Sequence, residues 1–296
     1  MRLLSLGHGY CARALAARLL PRGWQVAGTT RSGDRLAEIE ATGVRALLWP
    51  GGDLPPEIET ATHILISAAP DAEGDPAIAA LGPAIARAAP HLDWVGYLST
   101  TGVYGDQAGG WVDETAPLEP STRRGAARVR AEAAWRALAA QSGLPLHVFR
   151  LAGIYGPGRG PFAKIRAGTA RRIVKPGQVF SRIHVADIAT VLEASIARPD
   201  PGAVYNVCDD DPAPPQDVIA HAADLLGLPR PPEIAFDEAE MSPMARSFYA
   251  DSKKVRNDRI KTDLGVTLAY PDYRSGLAAL LAEERAASAE QVGKRR

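Results

Sequence analysis

The chain has 296 residues, with Lys plus Arg and Asp plus Glu both at 34, so its formal net charge is zero. That balance gives no bulk pull toward nucleic acid or an anionic membrane, and neither is expected as a partner. Its only two cysteines, Cys11 and Cys208, lie far apart. They fit a reducing compartment rather than a disulfide scaffold.

Arg2 to Leu6 reads as a short apolar strand. Gly7-His8-Gly9-Tyr10-Cys11-Ala12 then gives G-x-G-x-x-A, and Leu15 and Leu19 continue as one helix face. Strand, glycine turn and helix in this order are the setting of a dinucleotide fingerprint. Gly7 allows the tight turn, Gly9 lets a pyrophosphate approach the backbone, and Ala12 lets the helix pack close. The helix N-terminus offers unpaired N–H groups and a partial positive charge. Gly7, His8, Gly9 and Tyr10 are therefore expected at the cofactor. A plain structural turn of another βα unit is the alternative. No signal-peptide pattern precedes this turn and no apolar run spans a bilayer, so a cytoplasmic location is expected.

Gly23 suits a helix C-cap, and Gln25 to Thr29 reads as the second strand. The residues at its carboxyl end bear on cofactor choice. NAD sites usually hold the ribose 2′-OH with an acid, whereas an arginine suits a 2′-phosphate. Here the strand ends Thr30-Arg31-Ser32 without an acid. Arg31 can pair bidentately with a phosphate, and the Thr30 and Ser32 hydroxyls can assist. NADP is expected over NAD. NAD stays open through Asp34, with Arg31 then a solvated loop residue.

Val44 to Leu48 is the third predicted strand. The loop after it ends in Asp53-Leu54, a pair suited to an adenine or to a plain turn. His63 to Ser67 is the fourth strand, followed by Ala68-Ala69-Pro70, small residues that let a ligand lie against the backbone. A helix with Ile78, Leu81 and Ile85 leads to a fifth strand, Trp94 to Leu98. This alternation predicts an α/β fold, a doubly wound parallel sheet. Ser99, Thr100 and Thr101 fall at the strand's carboxyl end, where ligands bind in such sheets.

Here a family resemblance becomes specific. Ser99 to Gly105 resembles the S-S-x-x-V-Y-G stretch of the extended short-chain dehydrogenase/reductases, the NAD(P)-dependent epimerase/dehydratase family. Trp111-Val112-Asp113-Glu114 resembles its V-D-E segment, and Arg150 to Gly158 its R-x-x-x-x-Y-G-P-G. Ile183-His184-Val185-Ala186-Asp187 resembles its I-H-V-x-D, and Tyr205-Asn206-Val207 its Y-N-V strand. The resemblance runs to about Leu281. It implies a Rossmann domain of residues 1–156 and 178–207, a smaller substrate lobe of residues 157–177 and 208–282, and a tail of residues 283–296. It also implies Ser99 and Gly153 beside the cofactor, and a homodimer built on helices near Pro76–Ala89 and Gly125–Ala140. His184 and Asp187 are expected to be structural, and no metal site is expected.

The reaction centre departs from the family. The resemblance implies a Ser/Thr, a Tyr, and a Lys four residues after the Tyr. Thr100 takes the first place, but Arg124 stands at the Tyr position and Arg128 at the Lys position, with Glu132 next in the pattern. This suits the atypical branch, which keeps the fold without the usual pair. Arginine stays protonated and cannot transfer the proton a tyrosine would. In one reading the chain is an NADP-dependent oxidoreductase, epimerase or dehydratase-like enzyme. Arg128 then holds the cofactor ribose, Arg124 an anionic group of a small substrate, and Thr100 the reacting oxygen, with Tyr104 or water as acid; the resemblance itself favours Tyr104 as a packed residue. In the other it is a non-catalytic NADP(H)-binding sensor, and the arginines are a solvated helix face. Phe180 stands where several nucleotide-sugar epimerases of the family carry an Arg, which weakens a nucleotide-sugar substrate.

Overall fold

The structure is a computed structural model that describes residues 1–293. Strand β1 (Arg2–Leu6) leads through the glycine turn into helix α1 (Tyr10–Leu19), which buries Ala12, Leu15, Ala16 and Leu19. A 3₁₀ turn, Leu20–Arg22, intervenes before Gly23. Gly23 (φ +79°) therefore caps that turn rather than α1 itself. Then come β2 (Gln25–Thr30), β3 (Arg45–Leu48), β4 (His63–Ile66) and β5 (Trp94–Thr100). Between β4 and β5, the helix Pro76–Ala88 starts at Asp75, whose carboxylate accepts from the Ala77 and Ile78 amides.

Seven parallel strands form the central sheet, in the order Val204–Val207, Leu146–Leu151, β5, β4, β1, β2, β3. This is the doubly wound Rossmann arrangement predicted from the alternation. The winding reverses between β1 and β4, which opens a crevice at their carboxyl ends. Alternate residues of each strand feed opposite faces. Leu3, Leu65, Trp94 and Phe149 pack with Leu15 and Ile188 on one face. Leu4, Ile64, Val95 and Val148 pack with Ile85 and Trp135 on the other.

A long helix, Arg123–Ser142, starts at Thr122, whose hydroxyl accepts from the Gly125 amide, and ends at Gly143 in the left-handed region (φ +73°). Beyond the sheet, strand Gly153–Tyr155 pairs with Arg182–His184, and Arg172–Val174 with Glu233–Ala235. A separate core there joins Phe162, Ile165, Ala222, Tyr273, Leu277 and Leu281. The last helix, Tyr273–Gly293, runs on through most of the residues expected to form a tail. Residues 294–296 of that expected tail lie outside the described ones. Among the described residues no helix is long and apolar enough to cross a membrane.

Candidate functional site

The glycine turn lies at the reversal point. Gly7 has φ +88°, and a Cβ there would stand 2.9 Å from the Ala68 amide nitrogen across the crevice. Only glycine permits both. A Cβ at Gly9 would meet nothing nearer than the Gly7 carbonyl at 3.9 Å, so the space above it is open to a ligand. The first intrahelical bond of α1 runs from the Arg13 amide to Gly9 O. The amides of Tyr10, Cys11 and Ala12 are left without an intrahelical acceptor, and Gly9 provides no side-chain cap. An open cradle over uncapped amides fits a pyrophosphate.

His8 plays another part than the one expected. Its amide donates to Thr29 O at 2.7 Å, and its ring is buried, with Nδ1 2.7 Å from Ser5 Oγ. Burial, followed by the nearby Arg13 and Arg35 charges, pushes its pKa down to about 4. The ring fills the space over Gly28, where a Cβ would fall 2.5 Å from it. His8 therefore supports the turn from beneath instead of contacting phosphate.

At the end of β2, Arg31 is exposed, and Thr30 Oγ1 accepts from the Ser32 amide at 3.2 Å. Arg13 and Arg35 stand close by and share Glu38, at 2.6 and 3.4 Å. Asp53 is exposed, whereas Leu54 is 1% exposed within the core that holds Leu6, Trp49 and Ile58. That packing removes Leu54 from an adenine contact. Ala68 and Pro70 are half-buried and Ala69 is exposed, all just past β4 at the crevice. Gly153 is exposed at the start of its strand, and its amide donates to Ser181 O at 3.1 Å.

At the end of β5 the hydroxyls divide. Ser99 is buried and donates to Glu132 Oε1 at 2.5 Å. Arg150 holds the same carboxylate, from Nε at 3.2 Å and Nη2 at 2.9 Å. Ser99 is thus bound into a buried ion pair and is not free for a cofactor. Thr100 is half-buried, and its Oγ1 accepts from the Gly102 amide at 3.1 Å, which leaves its proton to donate.

Tyr104 is fully buried. Its hydroxyl donates to Asn206 Oδ1 at 2.7 Å and accepts from Arg150 Nη1 at 2.9 Å. Burial drives its pKa up to about 12, against the opposing pull of Arg150. A phenol so enclosed does not serve as the acid, and of the two readings of Tyr104 the packed one describes it.

The long helix brings the two arginines to this edge. Arg128 Nη1 donates to Leu98 O at 2.5 Å and to Tyr97 Oη at 3.1 Å, next to Ser99 and Thr100. Arg124, one turn earlier, is exposed, with its guanidinium 5.6 Å from the Phe248 ring centroid. Gly125 keeps this end of the helix close, since a Cβ would stand 2.6 Å from Gly102 O.

Two features escape sequence reasoning. Tyr10 reaches from the glycine turn to donate to Pro157 O at 2.9 Å, and Arg159 covers its ring at 4.3 Å. The loop Gly156 to Pro161 thereby rests on the glycine turn. The Ser99–Glu132–Arg150–Tyr104–Asn206 network is also invisible locally, because its members lie on different elements.

The model of the NAD dependent epimerase/dehydratase family matches residues 83–208, from the helix before β5 through the Val204–Val207 strand. Over these residues, which are less than half of its length, the chain is similar to this family. A functionally unknown conserved protein from Silicibacter pomeroyi is 63% identical, with a TM-score of 0.92 over 95% of this chain and 98% of that one. A 3-diazoavenalumate denitrifying reductase from Streptomyces is 32% identical over 181 residues, which are 56% of this chain and 58% of that protein. UDP-glucuronic acid 4-epimerase from Bacillus cereus, solved with UDP-glucuronic acid and NAD, shares the fold at 17% identity, with a TM-score of 0.76 over 95% of this chain and 98% of that one.

Proposed function

We propose that the chain is an NADP-dependent oxidoreductase acting on a small anionic substrate, without the tyrosine acid of its relatives. The observation that carries this reading is the pair of arginines at the end of β5. Arg128, in the place the family resemblance gives to the ribose-holding Lys, is tied to Leu98 O, and Arg124 is exposed one turn away. A dinucleotide bound in this crevice supplies or accepts a hydride. Everything else falls to the chain. The Tyr10 to Ala12 amides hold the pyrophosphate, while Arg31, with Arg35 and Arg13 nearby, takes the 2′-phosphate. Arg128 steadies the nicotinamide ribose from its remaining N–H groups. Arg124 fixes the substrate anion, and Thr100 donates its free proton to the reacting oxygen. With Tyr104 sealed in the core, water delivers the proton that accompanies the hydride. A reductase name on one relative agrees with such a reaction.

Fluorescence titration with NADPH and with NADH tests the cofactor. NADPH should bind at least about tenfold tighter, roughly 1.4 kcal/mol, and Arg31→Ala should erase the difference. Equal binding in the wild type would remove Arg31 from that role. Arg124→Ala should abolish substrate-dependent NADPH oxidation and leave cofactor affinity unchanged. NADPH binding without turnover on any anionic substrate would return the chain to a sensor. The same reading places the chain in a reducing cytoplasm as a homodimer, and a monomer by light scattering would discard the dimer.

A further inference from the structure

The short helix Pro243–Phe248 exposes apolar side chains beside the site. Met244 is 64% exposed and Phe248 55%. Tyr249, next in the chain, stands edge-on to Phe180, with centroids 5.5 Å apart, and lies tilted against Phe236 at 5.3 Å. Phe180, Phe236 and Tyr249 are each half-buried. Cations cover the outer rings. Arg124 stands 5.6 Å from Phe248, and Lys175 and Arg246 stand 5.4 and 4.8 Å from Phe236. Arg124, Lys175 and Arg246 make no ion pair among the described residues.

This cluster adjoins the end of β5. Asp251 accepts from Ser121, three residues before Arg124. Lys253 Nζ donates to Gly105 O at 2.6 Å, in the turn just past Thr100. Lys175 also donates to Tyr249 O, and Arg246 Nη2 to Ala239 O at 3.1 Å, which leaves Arg124, beside the exposed Phe248 ring, to suit a ligand that is itself planar and negative. Its π-face stacks on the rings, and its charge meets the guanidinium. Arginine in addition forks a carboxylate with two parallel hydrogen bonds. The spacing limits the ligand's size. Arg124 lies 5.6 Å from the Phe248 ring centroid, whereas a nucleotide-linked sugar keeps its base and diphosphate beyond the reacting hexose.

We propose that this face takes a planar aromatic carboxylate, with the carboxylate on Arg124 and the ring against Phe248 and Tyr249. The proposal names the substrate class for the oxidoreductase reading above and rests on its assignment of Arg124. Calorimetric titration of the full chain with trans-cinnamate tests it, with and without saturating NADP. Cinnamamide, cyclohexanecarboxylate and UDP serve as comparisons. Cinnamate should bind at least about tenfold tighter than any of the three. Arg124→Gln and Phe248→Ala, both at exposed positions, should each weaken it by about tenfold without moving the melting temperature. Equal binding of cinnamate and either ring control, or no cinnamate binding at millimolar concentration, would overturn it. Tighter binding of UDP would give the face to a nucleotide-linked ligand and also overturn it. Failure of NADP itself to bind would fell the cofactor assignment alone, since the titration without cofactor still decides the substrate face.

Discussion

At the scale of single residues, the glycine turn depends on a contact beneath it. His8 fills the space over Gly28, and a methyl group at residue 28 would collide with the ring at 2.5 Å. Gly28→Ala should therefore push the His8 ring, and with it Gly7 and Gly9, toward the phosphate side. Expected is a loss of at least about tenfold in NADPH affinity, recovered in large part by the double variant His8→Ala/Gly28→Ala. A single variant that binds as well as the wild type would show that the ring yields without moving the turn. Position 28 also shows how far residues speak from sequence alone. Gly7 and Gly9 announce themselves, because a turn and a close approach admit little else. Gly28 does not, because its partner is a side chain twenty residues away. Leu54 misleads for a related reason: an apolar residue after an acidic loop reads the same whether it faces an adenine or the core.

At the scale of elements, one buried ion pair joins the strands to the long helix. Glu132, on that helix, binds Ser99 at the end of β5 and Arg150 on the next strand, and Arg150 passes the connection to Tyr104 and Asn206. Glu132 is 1% and Arg150 2% exposed. Removing one partner of a buried pair leaves a charge with no compensation, which typically costs about 3–5 kcal/mol. Glu132→Ala should lower unfolding stability by roughly that amount in urea titrations, and Glu132→Gln by less, because the amide still accepts from Ser99. Identical midpoints for Glu132→Ala and wild type would mean that the strand end is held by packing alone. The elements themselves were legible, since alternating apolar runs, N-cap residues and Gly stops mark them locally. The connections among them were not. Tyr104 meets Asn206 and Arg150 across long stretches of chain, and the sheet register, Ser99 against Arg150 and Arg150 against Asn206, brings those residues level. The partners that seal Tyr104 are therefore not visible along the chain.

For the whole molecule, buried titratable groups set opposite slopes of stability against pH. His8, His63 and His184 are all pushed down to about 4, with burial the leading cause in each. Unfolded, these imidazoles take up protons near pH 6.5. Between about 6.5 and 4 the unfolded chain thus binds protons that the folded one refuses, and stability falls as acid is added. Asp209 acts in the other direction. Both of its carboxylate oxygens are buried without a partner, and burial raises its pKa to about 8 despite the Arg182 charge nearby. The folded carboxyl keeps its proton well above the pH at which the unfolded one loses it. Its contribution is full below pH 4 and is lost as pH rises through about 8. From pH 4 to 6.5 the three histidines outweigh this single carboxyl, and above 6.5 the carboxyl acts without them. For these groups, stability should peak near neutral pH, with an acid limb steeper than the alkaline one. Asp209→Asn cannot ionise, so it should flatten the alkaline limb, whose steepest slope for one proton is about 1.4 kcal/mol per pH unit. Urea midpoints measured from pH 5 to 9 on both proteins decide the matter. Parallel curves above pH 6.5 would show that Asp209 is already ionised in the fold.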